Sequence, residues 1–375
     1  MTKKILFILH LPPPVHGAAM VGKYIQDSKL INKSFDCDYI NLSTSKELNE
    51  IGRGGLSKIS SIIQLQKNVW KTLRKKKYDL CYMTLTAQGA GFYKDLLIVS
   101  ILKVFGIKIV YHFHNKGIAI AQNNKFNDLA YKFVFKDTNS ILLSKFLYPD
   151  VEKYVTKKEV FYCANGIPEI TEIVPSLDLN NKKERPFNIL FLSNIMEEKG
   201  VWVLLEACKL LKEEGRNFEC HFIGAWSDIN ENDFRSKVDN YQLSTFVFAH
   251  GKKYNADKNS FFYNADVFVF PTYYHNEAFS LVILEAMQAG LPVISTAEGG
   301  IADMVIDGVN GFLVPKKNSQ ALAESIKTLY DHPELCLKMG IEGKNRFLQL
   351  FTLETFENNM LEILTTIIKE EENSI

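Results

Sequence analysis

Short apolar runs rich in β-branched and aromatic residues alternate along the chain with longer stretches in which apolar residues recur every three or four positions. In the first half, the short runs predict six strands, at Lys4–Leu9, Cys37–Asn41, Leu80–Met83, Lys108–Phe113, Ser140–Leu143 and Val160–Cys163. The periodic stretches predict helices at Ala18–Gln26, Lys58–Lys76, Lys94–Phe105, Phe126–Phe135 and, briefly, after Ser144. This alternation is typical of α/β folds with parallel sheets.

A second alternating series follows a polar stretch with little periodicity. It predicts strands at Asn188–Ser193, Glu219–Phe222, Val247–His250, 265–272, Pro292–Ser295 and Phe312–Val314, with helices at Val201–Glu214, from Leu281, and at Ser319–Tyr330. Two such series predict two Rossmann-like domains that face a central cleft. We place the first domain at 1–170, the linker at 171–186 and the second domain at 187–351, and we expect a last amphipathic helix at about 352–375.

Two carboxylates bracket the predicted start of a buried helix in the second domain. Glu277 precedes the helix and Glu285 lies within it, with Ser280 as a candidate N-cap. If the helix begins at Leu281, its free N–H groups can hold a phosphate, and Glu285 lies roughly 6 Å further along the axis. That spacing suits a nucleoside diphosphate, with its ribose at Glu285. Alternatively, Glu277 is a solvated loop residue and Glu285 is paired on the exposed helix face.

The stretch from Glu277 to Glu285 resembles the E-x7-E motif of retaining glycosyltransferases of family GT4, which have the GT-B fold. Other landmarks of that family follow in order: Asn165-Gly166-Ile167, Ser193-Asn194 with Lys199-Gly200, Phe222-Ile223-Gly224, the strand 266–272, Gly299-Gly300 and 307–312. The resemblance implies that the first domain binds the acceptor and the second binds a UDP-sugar or GDP-sugar. It also implies a last helix that crosses back to the first domain, and catalysis without a cofactor or a metal ion.

The resemblance further implies roles for the residues around the donor's diphosphate and ribose. Lys199 binds the diphosphate, together with the N–H groups of Leu281 and Val282, and Glu285 binds the ribose. Asn194 stands where the family often has arginine, and it lacks that residue's charged, two-pronged donor. Without the resemblance, Lys199 could equally be a surface lysine.

The transferred sugar is assigned a second set of contacts by the same resemblance. Glu277 and the backbone of Ala278, Phe279 and Ser280 orient the sugar. His114, at the carboxyl end of a predicted strand, contacts it from the first domain, although a strand-end histidine is often structural. Gly17, in the loop after the first strand, lies against the diphosphate. Glu277 and His114 are therefore the candidate catalytic residues.

Composition narrows the functional class. The chain is 46% hydrophobic and 23% charged, which is ordinary for a soluble globular protein. Its six cysteines are scattered without a C-x-x-C pair, which argues against a zinc site or a disulfide framework and for the cytoplasm. No G-x-G-x-x-G motif occurs, so a dinucleotide-dependent dehydrogenase is disfavoured. No apolar run reaches the roughly 18 residues of a membrane span.

A local excess of positive charge indicates a further partner. Eight basic residues and no acidic ones occur between Arg53 and Lys77, interleaved with apolar residues and Trp70. A basic amphipathic helix of this kind is typical of proteins that lie on anionic membranes. Alternatively, its apolar face packs on the first domain's sheet. A nucleic-acid partner is disfavoured because no nucleic-acid motif accompanies the charge.

These observations favour a retaining hexosyltransferase that moves sugar from a nucleotide-diphosphate sugar to a glycan or lipid-linked acceptor, in the assembly of a surface polysaccharide such as a capsule or O-antigen. It would be cytoplasmic, or peripheral on the inner face of the cytoplasmic membrane. Two alternatives share the scaffold: a non-hydrolysing epimerase of nucleotide sugars, and a module that binds a nucleotide sugar without catalysis.

Overall fold

The chain folds into two units. The computed structural model describes residues 2–43, 56–170 and 185–372. Its contacts divide the chain into Met1–Gly166 with Leu353–Ile375 as the first unit, and Ile167–Thr352 as the second. Within the described ranges, each unit is built on a six-stranded parallel sheet. The predicted α/β class, with two Rossmann-like units, is confirmed.

The division differs from the predicted boundaries at one edge. Residues 167–170, which we expected in the first domain, belong to the second unit because Ile167 bridges to Thr352 and the Ile170 N–H bonds to Gln288. Most of the predicted linker, residues 171–184, lies outside the described residues. At its end, Arg185 forms a two-pronged ion pair with Asp266 of the second unit, at 2.8 and 2.9 Å.

The first unit's sheet has the strand order β2-β1-β3-β4-β5-β6. The strands are β1 (Lys4–Leu9), β2 (Asp36–Asn41), β3 (Leu80–Thr84), β4 (Ile109–Phe113), β5 (Thr138–Leu142) and β6 (Val160–Tyr162). Strands β3 and β4 are buried throughout, as expected for central strands of a parallel sheet covered on both faces.

The helices of the first unit connect successive parallel strands. They are α1 (Gly17–Asp27), α2 (Lys29–Ser34), α3 (Leu56–Lys75), α4 (Gly89–Val104), α5 (Ile118–Ala121) and α6 (Lys125–Phe135). Helix α4 packs beside both α3 and α6. The last helix, α14 (Leu353–Glu372), belongs to this unit: it packs on α2, and the Lys108 ammonium donates to the Ile367 carbonyl at 3.2 Å. The chain thus returns to its first unit.

The second unit's sheet has the order β12-β11-β10-β7-β8-β9. Its strands are β7 (Phe187–Leu192), β8 (Phe218–Ile223), β9 (Val247–Ala249), β10 (Val267–Phe270), β11 (Val293–Ser295) and β12 (Gly311–Leu313). After β7 the chain continues to β8 on one side, whereas β10 lies on the other. The strand order therefore reverses between β7 and β10, where open α/β sheets bind ligands.

The helices of the second unit include several that hydrophobic periodicity did not predict. Within the described part of this unit they are α7 (Val201–Glu213), α8 (Glu231–Asn240), α9 (Asn255–Asn264), α10 (Leu281–Gln288), α11 (Ile301–Met304), α12 (Ser319–Asp331) and α13 (Pro333–Leu350). Helix α8 buries only Phe234 and Val238, so its apolar pattern is too sparse to recognise. Helix α9 is the unpredicted element that matters for the site.

Candidate functional site

The candidate site lies at the carboxyl edge of the second unit's sheet, beyond β7 and β10. The loop after β7 ends in a short 3-10 helix at Glu197–Lys199, and the loop after β10 leads to Ser280, the N-cap of α10. Because the strand order reverses between these two strands, their loops diverge around a crevice. Lys199 and Glu277, predicted from separate motifs, both lie here.

Backbone contacts hold the two loops together. The N–H of Tyr273 donates to the carbonyl of Glu198 at 2.7 Å. Gly200, at φ +86°, lies so close to Pro271 that a Cβ would overlap the Pro271 carbonyl oxygen. Gly299, at φ +55°, packs equally tightly on the Glu277 carbonyl. The glycines of both predicted motifs therefore allow backbone to approach backbone, which fixes the side chains above them.

A buried ion pair joins the two loops. Nζ of Lys199 lies 2.5 Å from Oε2 of Glu277, whose side chain is 9% exposed. The ammonium also lies 4.4 Å from the ring centroid of Tyr274, where a cation is attracted to the aromatic face. The solvated-loop alternative for Glu277 is wrong. We predicted separate contacts for Lys199 and Glu277 and did not foresee that they pair with each other.

The N-terminus of α10 presents unused hydrogen-bond donors. The helix begins at Leu281 with Ser280 as N-cap, but the Ser280 side chain makes no capping hydrogen bond. The first N–H groups of a helix have no partner within it, so those of Leu281 and Val282 remain available to an anion. Ala278 and Phe279, just before the cap, are buried, and the Ala278 carbonyl accepts from the Gly300 N–H at 2.7 Å.

Glu285 carries a partly satisfied carboxylate. Its Oε1 accepts from Nζ of Lys258, on α9, at 2.7 Å. Its Oε2 is buried and has no hydrogen-bond partner within the described residues. A buried acceptor without a donor is costly, so a ligand hydroxyl at this position would be stabilised. The alternative that Glu285 is a paired carboxylate therefore holds for one of its two oxygens, Oε1.

Comparison with known proteins shows a family to which the region around this site is similar. Residues 177–346 match the family model described as "Glycosyl transferases group 1". The matched range covers most of the second unit, which is therefore similar to the group 1 glycosyl transferases. This confirms the predicted resemblance, and the matched range contains Lys199, Lys258, Glu277 and Glu285.

The glycosyl transferase likeness extends to named relatives. The chain is 30% identical over 204 residues to the capsular polysaccharide biosynthesis glycosyltransferase CapM of Staphylococcus aureus, covering 52% of each chain. It therefore spans about half the length of this curated relative.

Solved structures show that the whole chain has the GT-B fold. A glycosyltransferase from Rickettsia africae superposes with a TM-score of 0.77 at 20% identity, over 98% of this chain and 99% of that one. Anabaena HepE, in complex with UDP and glucose, gives 0.72 at 19% identity, over 97% and 99%. At these identities the likeness concerns the fold.

The remaining predicted donor-binding residues lie in two places. Asn194 is exposed just after β7, where Gly224 packs against the neighbouring Ser193 carbonyl. Gly17 opens α1 in the first unit, and the preceding His16 is the N-cap, its Nδ1 accepting from the Ala19 N–H at 3.4 Å. His16 thus has a structural role that the sequence did not reveal.

His114 belongs to a cluster of histidines at the carboxyl edge of the first unit's sheet. Its ring lies 4.3 Å from that of His112, centroid to centroid, and its buried Nδ1 has no hydrogen-bond partner within the described residues. His112 is fully buried, and its Nδ1 shares a 2.6 Å hydrogen bond with the Tyr82 hydroxyl. Burial lowers the pKa of His114 to about 3, and His16 adds to the shift. The imidazole is therefore neutral near pH 7.

We expect this burial to make the protein acid-sensitive. Unfolding returns His114 to its ordinary pKa near 6.5, so the unfolded state binds an additional proton once the pH falls below that value. The contribution to stability is complete above pH 6.5 and is lost progressively toward pH 3. In urea titrations, the loss in unfolding free energy between pH 7 and pH 4 should be smaller for His114→Asn than for the wild type. An equal loss in both proteins would contradict the prediction.

One side chain of the site escaped sequence reasoning. Lys258 lies on α9, whose apolar residues show no helical periodicity, so neither the helix nor its lysine was predicted. A second buried carboxylate, Glu298, pairs with Lys316 and lies next to the Gly299-Gly300 turn that we did predict. Its position directly before the two glycines was the feature of the sequence from which Glu298 could have been predicted.

Three other features are defined by the described residues. In 2–43, 56–170 and 185–372, no group of three or more His, Cys, Asp or Glu side chains is arranged to hold a metal ion. None of the helices in these ranges is both long and apolar enough to cross a membrane. The six cysteines are free thiols, and five of them are buried.

Proposed function

We propose that the protein is a retaining glycosyltransferase that moves a sugar from a nucleotide-diphosphate sugar to a glycan or lipid-linked acceptor. One observation carries the proposal: the Lys199 ammonium and the uncapped N-terminus of α10 lie together where β7 and β10 diverge. Two independent sources of positive potential at one crevice suit a diphosphate. The donor would be a UDP-sugar or a GDP-sugar, in line with the UDP and glucose bound by HepE.

Lys199 has enough hydrogen-bond donors to contact Glu277 and a bound phosphate at the same time. An ammonium has three N–H donors, so Lys199 can keep its bond to Glu277 while donating to a phosphate oxygen. Glu277 then holds the lysine in place and presents its other oxygen to the hydroxyls of the sugar. As the bond between the anomeric carbon and the diphosphate breaks, charge grows on the leaving oxygen. Fixed positive groups stabilise that charge best because they need no reorganisation.

Glu285 would recognise the ribose. The unpartnered Oε2 can accept from a ribose hydroxyl while Oε1 stays bonded to Lys258. The axial distance from the first N–H groups of α10 to Glu285, roughly 6 Å, fits a ribose joined to the bound diphosphate.

The proposed reaction needs neither a cofactor nor a metal ion. The acceptor hydroxyl would attack the anomeric carbon on the face from which the diphosphate leaves, and its proton would pass to the departing phosphate oxygen, so that the anomeric configuration is kept. The leaving diphosphate takes up the proton that the acceptor loses, so the reaction needs no further reactant. The roles of His114, Gly17 and Asn194 remain predictions.

The biological setting is proposed from the relatives. The match to a capsular polysaccharide glycosyltransferase favours assembly of a surface polysaccharide. The aligned region spans about half of that relative. The acceptor of this protein is therefore our proposal and is not inferred from the relative's acceptor.

A three-arm incubation tests the proposal. The protein is mixed with labelled UDP-sugars and GDP-sugars alone, with a lipid-linked glycan alone, and with both, each with and without EDTA. We expect labelled glycan only when both substrates are present, with the anomeric coupling of the donor retained by NMR. Turnover of the donor alone would instead establish an epimerase, and donor binding without transfer an inactive module. Inhibition by EDTA would contradict the metal-independent mechanism.

A further inference from the structure

The first unit carries an apolar and basic face formed by α3, α4 and α6, which we call the three-helix face. Helix α4 packs beside both α3 and α6, so the three form one layer on the sheet. At about 1.5 Å per residue, α3 is roughly 30 Å long and α4 roughly 24 Å. The face is therefore broad rather than a groove.

Helix α4 is unusual for a surface helix, because it buries charged as well as apolar residues and leaves other apolar residues exposed. Two of its three charged residues, Lys94 and Asp95, are buried, and Lys94 donates to the Leu42 carbonyl at 2.9 Å. Its outward positions are apolar: Leu97 is 47% exposed and Val104 is 75% exposed. A surface helix normally turns its charges to water.

The neighbouring helices continue this exposed apolar surface. On α6, Phe126 is 61% exposed and Leu129 is 67% exposed. On α3, Leu65, Val69 and Leu73 pack inward. Five more large side chains are exposed among the described residues of the same three helices: Ile59, Ile63, Trp70, Tyr93 and Phe133. Contiguous exposed apolar patches on soluble proteins mark interaction sites.

The same segment concentrates positive charge. Residues 56–136 contain 14 basic and three acidic residues, in a chain whose net charge is +1. All three acids have partners: Asp79 pairs with Lys3, Asp95 with Lys94, and Asp128 with Lys132 and Lys153. Among the basic residues of the segment whose side chains are described, eight are exposed: Lys67, Lys71, Arg74, Lys75, Lys77, Lys125, Lys132 and Lys136.

From these observations we infer that the three-helix face binds the surface of an anionic lipid bilayer, with the apolar side chains of α4 and α6 entering the interface and the lysines around them contacting lipid phosphates. Charge complementarity selects this occupant. A second copy would bring another strongly basic face, and like charges oppose such pairing. Trp70 and Tyr93 are residue types that favour the headgroup region. The inference extends the predicted basic helix at 53–77 to two helices that sequence analysis had assigned to no partner.

Vesicle sedimentation of the full chain tests the inference. We compare vesicles of pure phosphatidylcholine with vesicles made of phosphatidylcholine and phosphatidylglycerol in equal parts, each at low and at high salt. The wild type should bind the anionic vesicles and lose binding in salt, because exposed charges are screened. Leu97→Asp with Val104→Asp should lower binding at least about tenfold, since a charged side chain resists burial among acyl chains.

Matched variants separate the face from general surface effects. Ile341 and Leu348, on α13, are exposed apolar residues of the second unit, and their double aspartate variant should bind vesicles like the wild type. For charge, Lys71→Glu with Lys75→Glu should reduce binding, whereas Lys338→Glu with Lys344→Glu should not. Lys76 is left intact because it pairs with Asp36 and Asp38. If Leu97→Asp with Val104→Asp does not fold, the charge-reversal variant on α3 still tests the inference.

Other outcomes would overturn the inference. Absence of binding to anionic vesicles, or equal losses in the test and control pairs, would contradict it. A dimer in sedimentation velocity without lipid that Leu97→Asp with Val104→Asp abolishes would assign the face to a second copy. Since vesicle binding is measured without donor or acceptor, its failure would leave the proposed transferase activity untouched, and a failed activity assay would leave vesicle binding intact.

Discussion

Replacing Lys199 by methionine should lower the rate of sugar transfer by about 10²–10³-fold, the usual effect of removing one group that stabilises developing charge. The ammonium is fixed between Glu277 and the Tyr274 ring, so it is preorganised for the leaving diphosphate. Methionine keeps the length of the side chain but removes its charge. The measurement is kcat with saturating donor and acceptor. A change of less than about threefold would contradict the assigned role.

Two further variants separate chemistry from structure at Lys199. Removing the lysine also leaves Glu277 buried without its counter-charge, which by itself destabilises the loop. The double variant Lys199→Met with Glu277→Gln removes that imbalance. The double variant should be far less active than Glu277→Gln alone if Lys199 stabilises the leaving group, and should match Glu277→Gln alone if the lysine only neutralises Glu277. Lys209→Met, on the exposed side of α7, is the matched control and should retain wild-type activity.

Changing Glu285 to glutamine should weaken nucleotide binding by about 10–100-fold, with a smaller effect on kcat. A hydrogen bond to a charged group contributes about 1.5–3 kcal/mol, and each 1.4 kcal/mol corresponds to a factor of ten in affinity. Isothermal titration with UDP and GDP measures the change directly and identifies the preferred base. Unchanged affinity for both nucleotides would remove Glu285 from the ribose site.

The partner lysine again provides the discriminating control. Glu285→Gln leaves Lys258 without its ion pair, and this rather than a lost ribose contact could disturb the site. If the ribose contact matters, adding Lys258→Met to Glu285→Gln will not restore affinity. Full restoration would assign the effect to the unpaired lysine. Glu334→Gln, at an exposed position of α13, should bind nucleotide normally.

The sequence predicted those site residues that are marked by their immediate neighbours in the chain, and it missed those whose contacts join distant segments. Glu277 and Glu285 were recognised because they bracket the start of one short apolar helix, and Lys199 because Lys199-Gly200, at the start of α7, resembles a landmark of the family. Lys258 was missed because α9 lacks periodicity. The Lys199–Glu277 pair was also missed, since its members are 78 positions apart and meet only through the adjacency of β7 and β10.

The hydrophobic pattern by itself determined the α/β class, the positions of most strands, two parallel sheets and the candidate diphosphate-binding helix. These features depend on neighbouring residues, whose spacing is written directly in the chain. Only the tertiary structure decided which charges pair, which histidines are buried and neutral, and which helix faces remain uncovered. In α4 two charged residues are buried together with apolar ones while other apolar residues stay exposed, and no periodicity can show which side of such a helix meets the sheet. Burial and ion pairing depend on strand order, which brings residues distant in sequence together.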